Sequence, residues 1–146
     1  STATSQTITG LTNGTSYTFK VRATNAAGTG TDSGASLAVT PRSLPGAPTG
    51  VSGSPGNTTV ALSWTAPASD GGSAITGYRV TPFIGATAQT SVVFNSTATS
   101  QTITGLSNGT AYTFKVQACY SRLLGLSDCT WWQSVTYVKW PPARRG

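Results

Sequence analysis

The sequence predicts an all-β protein, an antiparallel sandwich of two sheets, on three observations. Apolar residues recur at every second position in short runs, and no window shows a 3.6-residue period. Clusters of Gly, Pro and Asn separate these runs at roughly regular intervals, as in short strands joined by tight turns. One stretch also occurs twice. Ser1–Ala23 (STATSQTITGLTNGTSYTFKVRA) and Ser96–Ala118 (STATSQTITGLSNGTAYTFKVQA) lie 96 − 1 = 95 residues apart and agree at 20 of 23 positions. Repetition of that length marks a small domain used more than once, as in a tandem array.

The elements follow in order from Leu44 onward. Leu44-Pro45-Gly46-Ala47-Pro48 is a Pro/Gly-punctuated segment of the kind that joins domains. Thr49–Ser52 is a short first strand, closed by the turn residues Ser54-Pro55-Gly56-Asn57. Val60-Ala61-Leu62-Ser63-Trp64 alternates large apolar with small or polar side chains, a half-buried strand that ends before Pro67 and Asp70-Gly71-Gly72. Ile75 leads into Tyr78-Arg79-Val80-Thr81, where Pro82 either stops the strand or sits where no N–H is needed. Thr90–Phe94 is a weaker strand near an edge, and Gln101–Thr104 another before the corner Gly105-Leu106-Ser107-Asn108-Gly109. Tyr112–Ala118 alternates most regularly of all. Seven such strands over ~100 residues fit one antiparallel sandwich.

The inward faces of the two sheets are assigned to Val60, Leu62, Trp64, Ile75, Tyr78, Val80, Ile103, Leu106, Tyr112, Phe114 and Val116. Burying each large side chain contributes ~1.5–3 kcal/mol against chain entropy, enough for one modest core.

Pro48-Thr49-Gly50-Val51, Leu62-Ser63-Trp64, Gly77-Tyr78-Arg79-Val80 and Leu106-Ser107-Asn108-Gly109-Thr110-Ala111-Tyr112-Thr113-Phe114-Lys115-Val116 resemble a fibronectin type III domain, an immunoglobulin-like sandwich. The resemblance covers Pro45–Ala118. It implies that Trp64 is the buried indole of the second strand, and that Leu106 and Tyr112 are the leucine and corner tyrosine leading into the sixth. The wording, with GGSAITGY and GLSNGTAYTFKV, is similar to repeats of secreted bacterial proteins, which implies a linker beside polysaccharide-degrading or adhesive modules.

On this basis residues 1–42 are the last three strands of a truncated repeat: Gln6–Thr9, Tyr17–Arg22 and roughly Ala35–Thr40. Residues 43–48 are a linker, 49–137 a complete domain, and 138–146 a basic Trp/Pro tail expected to be disordered. Without four covering strands, Ile8, Leu11, Tyr17, Phe19 and Val21 are expected to face water, forgoing roughly 10 kcal/mol of burial and leaving the piece frayed or molten. The eight residues from Pro41 to Pro48 reach at most ~28 Å, about the length of a sandwich or less, so replacing its twin within one chain is strained. Exchange between chains, giving concentration-dependent dimers of an otherwise monomeric fragment, is the expected alternative.

The two copies part after Ala118. Cys119 stands where the first copy has Thr24, and the tail acquires Trp131, Trp132 and Trp140 with four basic residues. Two explanations stay open. In one, Cys119 and Cys129 flank the last hairpin and form a disulfide. Similar repeats with a Cys pair bracketing that loop support the pairing, which requires an oxidising compartment. In the other, a reading-frame slip near Cys119 generates the tail. If the tail is genuine, its indoles could stack on sugar rings or, alternating along a strand, pack into the core.

Composition bounds the function. The 146 residues carry no His and no Glu, and Asp32, Asp70 and Asp128 are isolated from one another. General acid–base catalysis, paired-carboxylate hydrolysis and zinc binding by two Cys without His have no support, so no catalytic, cofactor-binding or metal residue is assigned. The net charge of +6 is scattered over Lys20, Arg22, Arg42, Arg79 and Lys115, with Arg122, Lys139, Arg144 and Arg145 near the end. No basic stripe interleaves with aromatics, so nucleic acid is not an expected partner, and no apolar run is long enough to span a membrane. Charged residues make up only 8%, with Thr, Ser and Gly in their place. The absence of Met and of an apolar leader reads as an excerpt from a longer polypeptide. The expectation is an extracellular or cell-surface spacer whose partners are neighbouring domains of its own chain. The alternative is an adhesion or carbohydrate-binding module, contacting a polysaccharide or surface protein through the loop after Cys119 and the tail indoles.

Overall fold

The computed structural model describes residues 1–121 and 127–129. Among the described residues there is no helix, and the strands are antiparallel throughout. In chain order they are β1 (Thr24–Asn25), β2 (Gly28–Thr29), β3 (Thr49–Pro55), β4 (Val60–Thr65), β5 (Ile75–Ile84), β6 (Thr87–Ala88), β7 (Val92–Phe94), β8 (Ser100–Ile103), β9 (Thr113–Ser121) and β10 (Ser127–Asp128). One sheet has the order β3-β4-β8; the other runs β10-β9-β5, with β6 and β7 both on the far side of β5. The expected all-β sandwich is the observed architecture.

The period-two pattern explains the layering. Along β4, Val60, Leu62 and Trp64 are buried while Ala61, Ser63 and Thr65 are exposed. Along β9, Phe114 and Val116 point inward between Thr113, Lys115 and Gln117. Successive side chains of a strand face opposite sides, so each sheet presents one apolar face, and the two faces meet. The core comprises Val51, Val60, Leu62, Trp64, Tyr78, Val80, Ile103, Tyr112, Phe114 and Val116. Trp64 and Tyr78 join the sheets edge to face, with centroids 5.0 Å apart, a geometry the ring quadrupoles favour. Leu106 and Ile75, assigned to the interior from sequence, are half-buried at its margin. Leu106 lies on the corner before β9, where its N–H donates to the Thr58 carbonyl at 3.0 Å, so its side chain covers one end of the core.

Pro82 does not end β5. Its carbonyl accepts from the Gln89 N–H at 2.8 Å, so its backbone faces β6 and β7, not β9. β6 pairs with Phe83 and Ile84, and β7 with Tyr78 to Val80. Pro82 falls between them, where the missing donor interrupts no ladder.

In residues 1–42 the expected segments Tyr17–Arg22 and Ala35–Thr40 lie in the two arms of one long hairpin. Rungs at Gly14 N–H to Pro41 O (2.9 Å), Tyr17 to Val39 (2.9 Å both ways), Ser36 N–H to Phe19 O (2.8 Å) and Ser33 N–H to Val21 O (2.9 Å) lead to the β1-β2 tip. Among the described residues, no strand pairs with residues 6–9, whereas their counterparts in β8 hydrogen-bond to β4. The two arms of the hairpin satisfy each other's backbone groups locally. Ile8 and Val21 face water, as expected, whereas Leu11, Tyr17 and Phe19 are half-covered.

Candidate functional site

The two carboxylates whose side chains are described are engaged in structure. Asp32 accepts from Arg22 Nε and lies 4.0 Å from Lys20 Nζ. The Oδ1 of Asp70 accepts from the Gly72 N–H at 2.8 Å, an Asx turn that shapes its own loop. No group of three or more Cys, Asp or Glu side chains is arranged to hold a metal ion among the described residues. The Tyr78 phenol, buried against Trp64, is held above the usual tyrosine pKa by desolvation, with its contact to Trp64 acting in the opposite direction. At Tyr17, the Thr12 N–H donates to the phenol oxygen at 3.0 Å and lowers the pKa by favouring the phenolate.

Cys119 lies near the end of β9 and Cys129 directly follows β10; the two are joined, with Cα atoms 4.2 Å apart. Both are buried. The pairing of Ser121 with Ser127 and of Tyr120 with Asp128 brings the arms together. A cleft of about 340 Å³ opens beside the disulfide, between Ser43, Leu44 and Pro45 of the linker and Gln117, Tyr120 and Cys129. Trp131, Trp132 and Trp140, for which the sequence leaves both sugar stacking and core packing open, lie outside the described residues, as do the tail 138–146 and most of the stretch on which the frame question turns.

On the outer face of β5 and β9, Arg79 stands opposite Gln117 and Thr81 opposite Lys115. The Lys115 ammonium sits 4.7 Å from the centre of the Phe83 ring, a cation–π contact that sequence inspection does not reveal. It depends on register between strands some thirty residues apart.

The model of the family described as "Fibronectin type III domain" matches residues 46–127. The chain is similar to "Chitinase A1" of Niallia circulans, 38% identical over 125 residues, which are 80% of this chain and 17% of that protein. It is also similar to "Endoglucanase B" of Cellulomonas fimi, 37% identical over 121 residues, 77% of this chain and 11% of that protein. The chain thus spans less than a fifth of these relatives' length. Among solved structures, the extracellular region of rat CD45, domains d3-d4, superimposes with a TM-score of 0.59 at 17% identity, over 94% of this chain and 70% of that one. That likeness concerns the fold alone.

Proposed function

We propose that this chain, which belongs to the fibronectin type III family, is a non-catalytic spacer holding neighbouring domains of one polypeptide apart outside the cell. One observation carries the reading: both described carboxylates whose side chains are placed, Asp32 and Asp70, are tied to structural partners, in a sequence with neither His nor Glu. Among the described residues no acid–base pair remains for chemistry. The extracellular setting is supported by the Cys119–Cys129 bridge, since such bonds persist in oxidising compartments. Because the relatives carry the names of a chitinase and an endoglucanase, the domains spaced apart are proposed to act on polysaccharide.

A second reading, adhesion or carbohydrate binding, is favoured by the cleft beside Tyr120 and the disulfide. Co-sedimentation of the chain with chitin and with cellulose, together with a glycan array, separates the two. The spacer reading expects no saturable binding to any of them. Saturable binding abolished by Tyr120→Ala would replace it with the second reading. We further propose that the fragment is a monomer when dilute and exchanges its 1–42 hairpin between chains when concentrated; a mass independent of concentration in sedimentation equilibrium would dismiss the exchange.

A further inference from the structure

The linker that follows the half copy is bonded to the sandwich. Just before it, the Pro41 carbonyl closes the base of the hairpin by accepting from the Gly14 N–H at 2.9 Å. The Ser43 N–H donates to the Gly71 carbonyl at 2.8 Å, and the Gly46 N–H to the Ser69 carbonyl at 2.9 Å. Arg42 Nη1 adds a bond of 3.3 Å to the buried Ser73 hydroxyl. Beneath these bonds the two copies meet backbone to backbone. Gly14, Gly71 and Gly72 have φ of 80°, 68° and 83°, the left-handed region that disfavours other residues. A Cβ on Gly72 would stand 2.8 Å from Gly14 Cα and 3.1 Å from Asn13 C, and one on Gly71 2.7 Å from the Leu44 carbonyl oxygen. Both conformation and contact therefore require glycine. The loop is braced from within by the Asp70 Asx turn and by the Gly71 N–H, which donates to Ser69 Oγ at 3.1 Å.

The geometry points to residues 69–73 as a docking surface whose partner is the Asn-Gly turn of the preceding repeat, forming a joint that fixes the angle between consecutive repeats. The inference rests on the spacer reading and supplies what that reading needs: a rod transmits distance only if its joints do not swivel. Relative motion is the default for domains joined by small interfaces, so a short linker alone would not give this property. The molecule contains its own control. Asn108-Gly109 is the same turn in the complete copy, with a φ of 78° at the glycine, yet nothing among the described residues lies within 4 Å of a Cβ placed there. Ala at Gly109 imposes the conformational strain without the collision.

Residual dipolar couplings measured on the full chain test the joint. In the wild type and in Gly109→Ala, couplings from the 14–41 hairpin and from the sandwich are expected to fit one alignment tensor. In Gly72→Ala the hairpin should require its own tensor, its magnitude reduced by about half or more as the joint loosens. Gly14→Ala approaches the same contact from the other side, 3.3 Å from Gly72 Cα, and should act in the same direction. Unchanged amide shifts at Trp64 and Phe114 in the sandwich, and at Tyr17 and Val39 in the hairpin, establish that each variant is folded in both parts. A wild-type hairpin with a separate, weaker tensor overturns the joint, and so does a single shared tensor in both Gly72→Ala and Gly14→Ala. Failure of the spacer reading itself would appear as saturable polysaccharide binding, which leaves these tensors untouched.

Discussion

Residues 1–23 and 96–118 are nearly one sequence in two settings. Ile8 is 57% exposed and its counterpart Ile103 2%; Val21 is 72% exposed and Val116 3%. What is local survives in both. The Thr12 N–H donates to the Tyr17 hydroxyl at 3.0 Å, as the Ser107 N–H donates to that of Tyr112 at 3.2 Å. Tyr17 and Phe19 stack with centroids 6.4 Å apart, Tyr112 and Phe114 at 6.3 Å. What is long-range does not survive, because among the described residues nothing stands against the first copy as β4 and Trp64 stand against the second. Short-range chemistry therefore sets the turn and corner, and the opposing sheet decides whether the apolar stripe is core or surface.

The sharpest way to break this comparison is a matched truncation. Phe114→Ala should cost about 3–5 kcal/mol in the urea unfolding of the sandwich, the range for large-to-small changes in a packed core. Phe19→Ala should cost about 0.5 kcal/mol or less in that same transition, since surface changes rarely cost more. Equal losses would mean that the first copy is as well covered as the second. Next in size is the bridge, which Thr24 cannot make in the first copy. Reducing Cys119–Cys129 should remove about 2–3 kcal/mol, according to the loop-closure estimate. Calorimetry with and without reductant should show this as a fall of about 10–20 °C in melting temperature.

Smaller still is the corner tyrosine. Tyr112→Phe leaves the Ser107 N–H without its acceptor and should cost about 1 kcal/mol. Tyr17→Phe should leave the main transition in place, because water reaches Thr12. The smallest effect is alkaline. Burial raises the pKa of Tyr78, so the folded state holds that proton more tightly than the unfolded chain. Its contribution is fully present below about pH 10, the ordinary tyrosine value, and is lost as pH rises through the folded-state value. The melting temperature of the wild type should fall across that window more steeply than that of Tyr78→Phe. Parallel profiles would remove Tyr78 as the cause.

Much of the sandwich is legible in the sequence because its signals are local. Alternation in Val60 to Trp64 and in Tyr112 to Val116 places those side chains inside, and Pro82 carries its own restriction. Of the three strands expected in the first copy, only Gln6–Thr9 is unpaired among the described residues, for a related reason: alternation at Ile8 records how a strand would pair in a complete repeat, not whether a partner is there. The joint is illegible for the opposite reason. Asp70-Gly71-Gly72 reads only as a break between strands, and nothing in its composition reveals that its partner is Gly14, 72 − 14 = 58 positions earlier. The Lys115–Phe83 contact is hidden in the same way, in a register set by the whole sheet.

Amide hydrogen exchange of the intact chain, read at Phe19 against Phe114 and at Val21 against Val116, tests most directly whether burial context divides the two copies. Phe114 and Val116 should exchange only through global unfolding, with protection close to the full stability of the sandwich, while Phe19 and Val21 exchange orders of magnitude faster through local opening of the hairpin. Equal protection of the two members of each pair, at concentrations where the chain is monomeric, would contradict that division.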